Sequence, residues 1–155
     1  MPETNPSVAL DDVDKQLIEA LQRDGRRPYT QLAHEVGLSE AAVRHRVRRL
    51  VESGVTQIVA VTNPLMLGFR RMAMVGIRVE GDVRTAAEAI SALPQISYLI
   101  IVAGSFDLLV EIVCEDDDDL LELLNDQIRA VPGVASTDTF TYLKICKETY
   151  SWGTR

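Results

Sequence analysis

The stretch that most constrains the fold is Thr30–Glu52, in which two short helical patterns are separated by one glycine. The first pattern ends at Gly37, because glycine adopts at little cost the left-handed conformation that terminates a helix. Ser39 follows, and its hydroxyl can accept a hydrogen bond from a free N–H of the next helix. Apolar residues recur at helical spacing. They are Leu32, Ala33 and Val36 in the first pattern and Val43, Val47, Leu50 and Val51 in the second. The spacing therefore predicts two helices joined by a tight turn.

The second helix carries basic residues on the side opposite its apolar stripe. These residues are Arg44, His45, Arg48 and Arg49, while Arg46 lies toward the side of the helix. Taken alone, a basic face on an amphipathic helix is often only a solvated surface. Here it follows a first helix, a glycine turn and a capping serine, which is the arrangement of a helix-turn-helix. The second helix of that motif enters the major groove of DNA, so the combination favours DNA recognition.

The helix-turn-helix geometry assigns expected contacts to individual residues. The residues expected at DNA are Tyr29, Gln31, Ser39, Arg44, His45, Arg48 and Arg49. Arg44, His45 and Arg48 should reach base edges, whereas Ser39 and Arg49 should contact phosphates. The two residues in the first turn of the first helix could reach the DNA backbone or simply face solvent.

The net charge changes sign along the chain. The whole sequence is acidic, with 23 Asp and Glu against 16 Lys and Arg. Residues 23–51, however, contain seven arginines and three acidic residues, whereas residues 63–155 contain eight basic and fourteen acidic residues. Because a phosphate responds mainly to charges within about 10 Å at ordinary salt concentrations, the basic segment can attract DNA while the acidic remainder keeps away from it.

Two segments precede the helix-turn-helix. Residues 1–9 contain two prolines and small polar residues, which predicts a disordered tail. A helical apolar stripe then begins after Asp11 and Asp12, whose negative charge suits a helix N-terminus, and it ends near Asp24-Gly25. This helix should pack behind the helix-turn-helix. Pro28 can open the next helix, because a missing N–H does no harm there.

Few residues suit metal or thiol chemistry. Cys114 and Cys146 lie in apolar, strand-like runs and are expected to be buried, reduced thiols. There is no CxxC motif, and both histidines lie in the first segment, so neither a metal site nor a cofactor is expected. The run Asp116–Asp119 lacks the glycine and terminal glutamate of a calcium-binding loop and fits a helix N-terminus instead. Since no secretory signal and no bilayer-spanning apolar segment is visible, we expect a cytoplasmic protein without a membrane partner.

From Val55 onward the pattern changes to short strands and helices. Val55–Val61 is rich in β-branched residues and predicts a connecting strand, and a hinge around Gly68 should follow as a short helical turn or a loop. The next elements are a strand, a helix, two strands joined by a tight turn, a helix and a strand. Their expected ranges are Met72–Glu80, Val83–Leu93, Ile96–Ala103, Leu108–Cys114, Asp116–Val131 and Val134–Thr149. This βαββαβ order predicts a ferredoxin-like sandwich, and the expected fold class is α+β.

A four-stranded sheet with both helices on one face leaves its other face uncovered. Apolar residues occupy both alternating positions in Ile96–Val102 and in Leu108–Val113, so both faces need cover. Self-association through the sheet would supply that cover. A two-fold dimer would also present two recognition helices to half-sites about one helical turn of DNA apart.

An ordered set of short motifs runs along the chain. In the first half they are Leu10-Asp11 with Asp14, Asp24-Gly25-Arg26, Gln31-Leu32-Ala33, Gly37-Leu38-Ser39, Val43, Arg46-Val47-Arg48-Arg49-Leu50, Gly54-Val55, and Pro64 with Gly68. In the second half they are Gly104 with Asp107, Pro132-Gly133-Val134, and Thr137 with Thr139. Over Leu10–Lys147 this set resembles the Lrp/AsnC family, the leucine-responsive or feast/famine transcriptional regulators. Each motif is weak alone, but the ordered set is specific.

The resemblance implies an N-terminal (winged) helix-turn-helix domain, a connecting strand, and a ferredoxin-like domain for effector binding and oligomerisation. The corresponding boundaries are residues 1–9 for the tail, 10–54 for the DNA-binding domain, 55–71 for the connector and hinge, and 72–150 for the ligand domain. It also implies homodimers that assemble into tetramers or octamers and bind an amino acid or related small metabolite where neighbouring dimers meet. By position, the effector site would be lined by Ala103, Gly104, Ser105, Phe106, Asp107, Thr137 and Thr139.

The chemistry of these residues suits an amino acid. Gly104 lets backbone N–H groups approach a carboxylate, Asp107 can accept hydrogen bonds from an ammonium group, and the threonine hydroxyls can add polar contacts. Alternatively, Gly104 and Asp107 only form the turn. The family commonly has threonine at the position of Ala103 and a glycine-aromatic pair in the connector, where this chain reads Thr56–Val59. The first departure removes a possible hydroxyl contact and so affects which ligand is bound. The second affects how the DNA-binding domain moves relative to the ligand domain.

The sequence thus predicts a regulator of transcription, not an enzyme, that binds double-stranded DNA and a small-molecule effector. An alternative is a sirohaem-decarboxylase-like enzyme, which resembles this family in architecture. General acid–base chemistry there would need a histidine or similar group in the second domain, where this sequence has no histidine. A third option is a ligand-domain protein that only modulates a partner regulator, and the intact basic helix argues against it.

Overall fold

The computed structural model describes residues 9–150 and 152–154, so the predicted disordered tail lies outside the described residues except for Ala9. The chain divides into two compact units. The first comprises the described residues up to Val61 together with those from Lys147 onward, and the second comprises Thr62–Cys146. None of the described helices is long and apolar enough to cross a lipid bilayer.

Three helices build the first unit. They are α1 (Asp12–Arg23), α2 (Tyr29–Val36) and α3 (Glu40–Glu52). Side chains and backbone conformations fix the ends of these helices as the sequence predicts. Asp11 caps α1 by accepting a hydrogen bond from the Asp14 N–H at 2.8 Å. Gly37 ends α2 in the left-handed conformation with φ of 68°, and the Ser39 hydroxyl caps α3 by accepting from the Ala42 N–H at 3.2 Å. The predicted helix-turn-helix is therefore confirmed.

The apolar stripes of the three helices meet in one small core. Its buried members are Leu17, Ala20, Leu21, Leu32, Ala33, Val43 and Val47. Val51, which the spacing places on the same stripe, is 41% exposed. At 100° per residue it lies at the edge of the stripe, about 80° from Val43. Burial on α3 thus follows the helical periodicity, with Val43, Val47 and Leu50 buried and Val51 at the edge of the stripe.

The predicted connecting strand is not formed. Val55–Val61 belongs to no strand, and within the described residues the first unit contains no strand at all, so it has no wing. A strand requires a neighbouring strand to satisfy its N–H and C=O groups. The segment exposes apolar side chains, with Val59 68% and Val61 56% exposed. Its β-branched composition favours a strand, but among the described residues no strand pairs with the segment, so the prediction of a connecting strand is wrong.

The second unit is a four-stranded antiparallel sheet with two helices. Its elements are a 3₁₀ turn (Pro64–Leu67), β1 (Arg71–Val79), α4 (Val83–Ser91), β2 (Ile96–Ile101), β3 (Leu108–Cys114), α5 (Asp117–Glu122), which continues as π-helical turns over Leu123–Ile128, and β4 (Val134–Thr141). The strand order is β2-β3-β1-β4, and all neighbours are antiparallel. The hinge forms a short helical turn that ends at Gly68, with φ of 100°. The ferredoxin-like arrangement and the α+β fold class are confirmed.

Several elements of the second unit end earlier than predicted. β2 and α4 each end two residues early, and β4 ends at Thr141 rather than at Thr149. The reason for the short β4 lies in its neighbour, since β1 begins only at Arg71. The Tyr142 N–H still donates to the Met72 carbonyl at 2.8 Å, and beyond Met72 only Arg71 remains in β1, which leaves no partner on β1 for residues 144–149. Apolar composition alone could not reveal this limit.

The acidic run acts as a helix cap, as predicted. The Asp116 carboxylate accepts hydrogen bonds from the N–H groups of Asp118 and Asp119, each at 3.0 Å, at the start of α5. Asp117 instead binds the Arg71 guanidinium through two hydrogen bonds, and this ion pair lowers the pKa of the Asp117 carboxyl. The run therefore joins α5 to β1 as well as starting the helix.

Both helices pack on one face of the sheet. The buried core on that face consists of Ala73, Val75, Ile77, Ala87, Ile90, Leu108, Val110, Ile112, Cys114, Leu123 and Ile128. Burial, reinforced by Asp119, raises the pKa of the Cys114 thiol to about 11. The expectation that both cysteines are buried is wrong for Cys146, which is exposed. It lies beyond the end of β4, so no neighbouring strand covers it.

The opposite face of the sheet keeps apolar and aromatic residues partly exposed. The strand register places Met74, Tyr98, Ile100, Leu109, Glu111, Phe140 and Tyr142 on it. Tyr98 is 54% and Phe140 52% exposed. At its centre the Tyr142 hydroxyl donates to Glu111 Oε1 at 2.8 Å, and Ser97 donates to Glu111 Oε2 at 3.0 Å. This open face has the apolar character that a covering partner needs.

The Tyr142–Glu111 contact predicts a stability loss at alkaline pH. Burial first, and then the hydrogen bond to Glu111, raise the pKa of Tyr142 from 10.0 to about 12. Between these values the folded chain retains a proton that the unfolded chain has lost, so stability falls as the pH rises from 10 toward 12. A spectrophotometric titration should show one late tyrosine in the wild type, and Glu111→Gln should lower its pKa. Tyr98→Phe is the control. An unchanged late phase in Tyr142→Phe would contradict the assignment.

Candidate functional site

The outer face of α3 presents a set of basic side chains to solvent. Arg44, His45 and Arg48 are all exposed, as are Gln31 on α2 and the capping Ser39. The buried Val43, Val47 and Leu50 on the other side of α3 fix which face points outward. The helix-turn-helix thus brings most of the residues expected at DNA onto one exposed surface, formed by the start of α2 and the outer face of α3.

Arg44 is held in place by two neighbours. Its guanidinium donates to Glu40 Oε1 at 2.6 Å, one helical turn earlier, and lies 5.3 Å from the centre of the Tyr29 ring. Exposed ion pairs of this kind contribute little to stability, because water competes with them. A phosphate or a base edge can therefore replace Glu40 at small cost. Tyr29, expected at the DNA backbone, is half-buried and orients Arg44 through its ring.

Sequence reasoning missed an ion-pair cluster between α1 and α3. The Asp14 side chain is 1% exposed and binds two arginines of α3. Arg46 Nη1 donates to Asp14 Oδ1 at 2.8 Å and to Asp11 Oδ2 at 2.7 Å, and Arg49 Nη2 donates to Asp14 Oδ2. In the sequence, the only sign of this cluster is an acidic residue, Asp14, in the first turn of α1. Its arginine partners become evident only when α1 packs against α3.

The cluster changes the expected surroundings of Arg49. Arg49, expected at phosphates, is 44% exposed, yet one of its terminal nitrogens is engaged by Asp14. Arg46, which lay toward the side of the helix by spacing, faces α1. The hydrogen bond from the Asp14 N–H and the one from Arg46 lower the pKa of the Asp11 carboxyl, which therefore stays charged to more acidic pH than an ordinary aspartate. Three arginine–carboxylate contacts thus fix the orientation of α3 relative to α1.

The predicted effector turn, residues 103–107, joins β2 to β3 beside the end of β1. The Val102 N–H donates to the Asp107 carbonyl, and the Asp107 N–H donates to the Ile77 carbonyl, both at 2.9 Å. The Asp107 carboxylate accepts from the Val79 N–H at 2.8 Å. One of its oxygens thus ties the turn to β1. Asp107 acts as a turn former, and its other oxygen has no hydrogen-bond partner among the described residues.

Phe106 anchors the same turn to the open face. Its ring lies over Gly76, where a Cβ would come within 2.8 Å of three ring atoms. It also meets Phe140 edge-on, with ring centres 6.2 Å apart. Glycine at position 76 is therefore required for this packing. The turn is fixed at both sides of its centre, while Ala103, Gly104 and Ser105 are exposed.

The two predicted threonines lie on β4, at the edge of the sheet. Thr137 stands opposite Ile77 and Thr139 opposite Val75, so both point to the face that carries the helices. Thr137 Oγ1 accepts a hydrogen bond from Arg129 Nε at 2.9 Å. Phe106 lies on the other face. Within one chain the turn and the threonines are therefore at the same end of the sheet but on different faces.

The described residues lack a cluster of metal ligands. They include no group of three or more His, Cys, Asp or Glu side chains placed to hold a metal ion.

Both halves of the chain match known protein families. Residues 10–51 match the AsnC-type helix-turn-helix domain, and residues 72–152 match the Lrp/AsnC ligand binding domain. The chain belongs to the Lrp/AsnC family. It is a transcriptional regulator with a helix-turn-helix for DNA and a separate ligand-binding domain.

Relatives of this Lrp/AsnC protein extend over nearly its whole length. The HTH-type transcriptional regulator FL11 of Pyrococcus furiosus is 36% identical over 142 residues, which is 90% of this chain and 93% of that protein. The proline dehydrogenase transcriptional activator of Rhizobium radiobacter is 32% identical, covering 90% of this chain and 93% of that protein. The leucine response regulatory protein of Mycobacterium tuberculosis has the same fold, with a TM-score of 0.84, 29% identity and coverage of 94% and 100%. None of these supports the enzymatic alternative.

Proposed function

We propose that the protein binds double-stranded DNA by inserting α3 into the major groove. The observation that carries this proposal is the exposed basic face of α3, supported from behind by the apolar core and the Asp14 cluster. Arg44, His45 and Arg48 read base edges, while Ser39, Gln31 and Tyr29 lie at the phosphate backbone. We also propose that the protein acts in the cytoplasm, as a regulator of transcription that must reach DNA inside the cell.

Arg49 serves two purposes in this proposal. It contacts a phosphate with the part of its guanidinium that Asp14 leaves free, and it holds α3 against α1 with the remainder. An arginine has five N–H donors in a rigid fork, so one side chain can serve both partners. Arg46 has a supporting role only.

We further propose that the regulator is a homodimer that assembles into tetramers or octamers. The open face of the sheet exposes aromatic residues, and Val55–Val61 exposes apolar residues with strand propensity. A second copy could cover the first surface and pair with the second. A two-fold dimer presents two α3 helices to adjacent major grooves, which matches the way helix-turn-helix dimers read DNA half-sites.

The proposed effector is an amino acid bound at the turn of residues 103–107. Exposed backbone at Gly104 can receive a carboxylate, and the unengaged oxygen of Asp107 can receive an ammonium group. Thr137 and Thr139 point to the other face, so they complete such a site only from a neighbouring copy. Support comes from the ligand-binding domain that matches this half and from the relative named for its leucine response. Effector binding then changes DNA binding by favouring one assembly state.

A thermal-shift screen of the full chain against the proteinogenic amino acids tests the effector proposal. A ligand that binds only the folded state raises the unfolding midpoint by mass action, because it adds about 2.7 kcal/mol to the free energy of unfolding at a hundredfold excess over its dissociation constant. We expect one or two amino acids to raise the midpoint and to change the band pattern in a gel shift with promoter DNA. If no amino acid shifts the midpoint, the effector proposal fails while DNA binding stands.

A further inference from the structure

Arg78 is an exposed arginine attached to the turn of residues 103–107. It lies near the end of β1, on the open face of the sheet, opposite Ser136 of β4. Its Nε donates to the Ser105 carbonyl at 3.0 Å, and its guanidinium carbon lies 5.7 Å from the centre of the Phe106 ring. The sequence motifs did not single out this residue, because only the fold brings β1 beside the turn.

The platform under the Arg78 guanidinium is rigid. Phe106 is packed onto Gly76 and against Phe140, so its ring has little freedom to move. A planar guanidinium stacked on a fixed ring and tied at Nε has lost most of its conformational freedom before any ligand arrives. Preorganisation of this kind lowers the cost of binding a charged ligand.

The outer edge of Arg78 is free to bind a ligand. Its Nη1 and Nη2 atoms have no hydrogen-bond or ion-pair partner among the residues that the structure describes. Three acidic residues are near in the strand order, but none forms an ion pair with it. They are Asp107, which is tied to Val79, Glu80, which directly follows β1, and Asp138 opposite Gly76. Two free terminal nitrogens on one guanidinium match the two oxygens of a carboxylate.

We propose that Arg78 binds a side-chain carboxylate of the effector, so that the ligand class is an acidic amino acid, aspartate or glutamate. This inference rests on the proposed effector site at the same turn. There, backbone at Gly104 receives the α-carboxylate and Asp107 receives the ammonium group. Arg78 then remains for a second negative group, and an uncharged side chain would leave its outer edge unsatisfied. The site is therefore specific for a negatively charged side chain.

Isothermal titration calorimetry of the full chain with pairs of matched ligands tests this proposal. Glutamate against glutamine, and aspartate against asparagine, differ only in the charge of the side chain. We expect the wild type to bind the acid of one pair at least ten times more tightly than its amide. Arg78→Gln should bring this ratio to about one, and Arg78→Lys should keep part of it, since a lysine retains the charge without the forked geometry.

Arg84→Gln is the matched control, because it removes an exposed arginine from the same unit that forms no hydrogen bond or ion pair with the turn among the described residues, and it should leave the ratio unchanged. The unfolding midpoint without ligand checks that Arg78→Gln is folded. An equal loss of affinity for acid and amide in Arg78→Gln would show that Arg78 only supports the turn and would overturn the proposal. Preference of the wild type for a neutral or basic amino acid would also overturn it, while leaving the proposed effector function intact. Binding of no amino acid would remove both.

Discussion

Replacing Arg44 or Arg48 by alanine should weaken DNA binding by about 10- to 100-fold, since an arginine at a base edge contributes roughly 1–3 kcal/mol. Both side chains are exposed on α3, and Arg44 exchanges a weak surface contact with Glu40 for its DNA contact. Neither side chain belongs to the buried core, so the unfolding midpoint should not change. A gel shift or fluorescence anisotropy titration against promoter DNA at fixed salt concentration measures the effect.

Loss of charge by itself must be separated from loss of a contact. Arg84→Ala removes the same charge from the ligand-binding half and should leave the affinity unchanged. The slope of affinity against salt concentration adds a second criterion, because each lost phosphate contact reduces it by about one unit, whereas a lost base contact does not. Wild-type affinity in both α3 variants would contradict the assignment of this face to DNA.

Asp14→Asn should destabilise the helix-turn-helix more than any other single change from one carboxylate to its amide. The side chain is 1% exposed and is shared by Arg46 and Arg49. Removing one member of a buried ion pair typically costs about 3–5 kcal/mol. Both arginines keep some contact with water, so we expect about 2 kcal/mol here. Urea denaturation followed by far-ultraviolet circular dichroism measures the loss.

Asp12→Asn is the matched control for this prediction. Asp12 lies in the first turn of the same helix but is exposed and makes no ion pair among the described residues. Its replacement should cost no more than the helix-dipole contribution, about 0.3–1 kcal/mol. Equal stability of the two variants would mean that the Asp14 cluster does not hold α3 to α1. DNA binding by Asp14→Asn should weaken along with stability, because the same contacts orient α3.

The fold could be predicted from the sequence wherever local chemistry decides it. Gly37 and Ser39 specify the end of one helix and the start of the next, and the spacing of Val43, Val47 and Leu50 specifies the buried face of α3. The alternation of strand and helix patterns specifies the ferredoxin-like order. Such features depend on residues within a few positions of each other, so they can be recognised in the sequence without the tertiary structure.

Strand limits depended on neighbours distant in sequence. β4 ends near the start of β1, which offers no partner to residues 144–149, and Val55–Val61 forms no strand because no described strand pairs with it. Cys146 is exposed for the same reason, since the apolar run around it extends beyond the sheet. Strand propensity shows that a segment is able to form a strand, and pairing with a neighbouring strand decides whether it forms one.

The sequence by itself determined the two architectures, the outward basic face of α3 and the turn of residues 103–107. Tertiary structure decided which charges are engaged and which are free. Asp14 takes up part of Arg46 and Arg49, which lie 32 and 35 residues away, while Arg78 is carried to Ser105 and Phe106 across the sheet. Periodicity fixes only the direction in which a side chain leaves its own helix or strand. Which residues the side chain contacts depends on how segments distant in sequence pack together. Those contacts decide how strongly a charged group interacts with its surroundings.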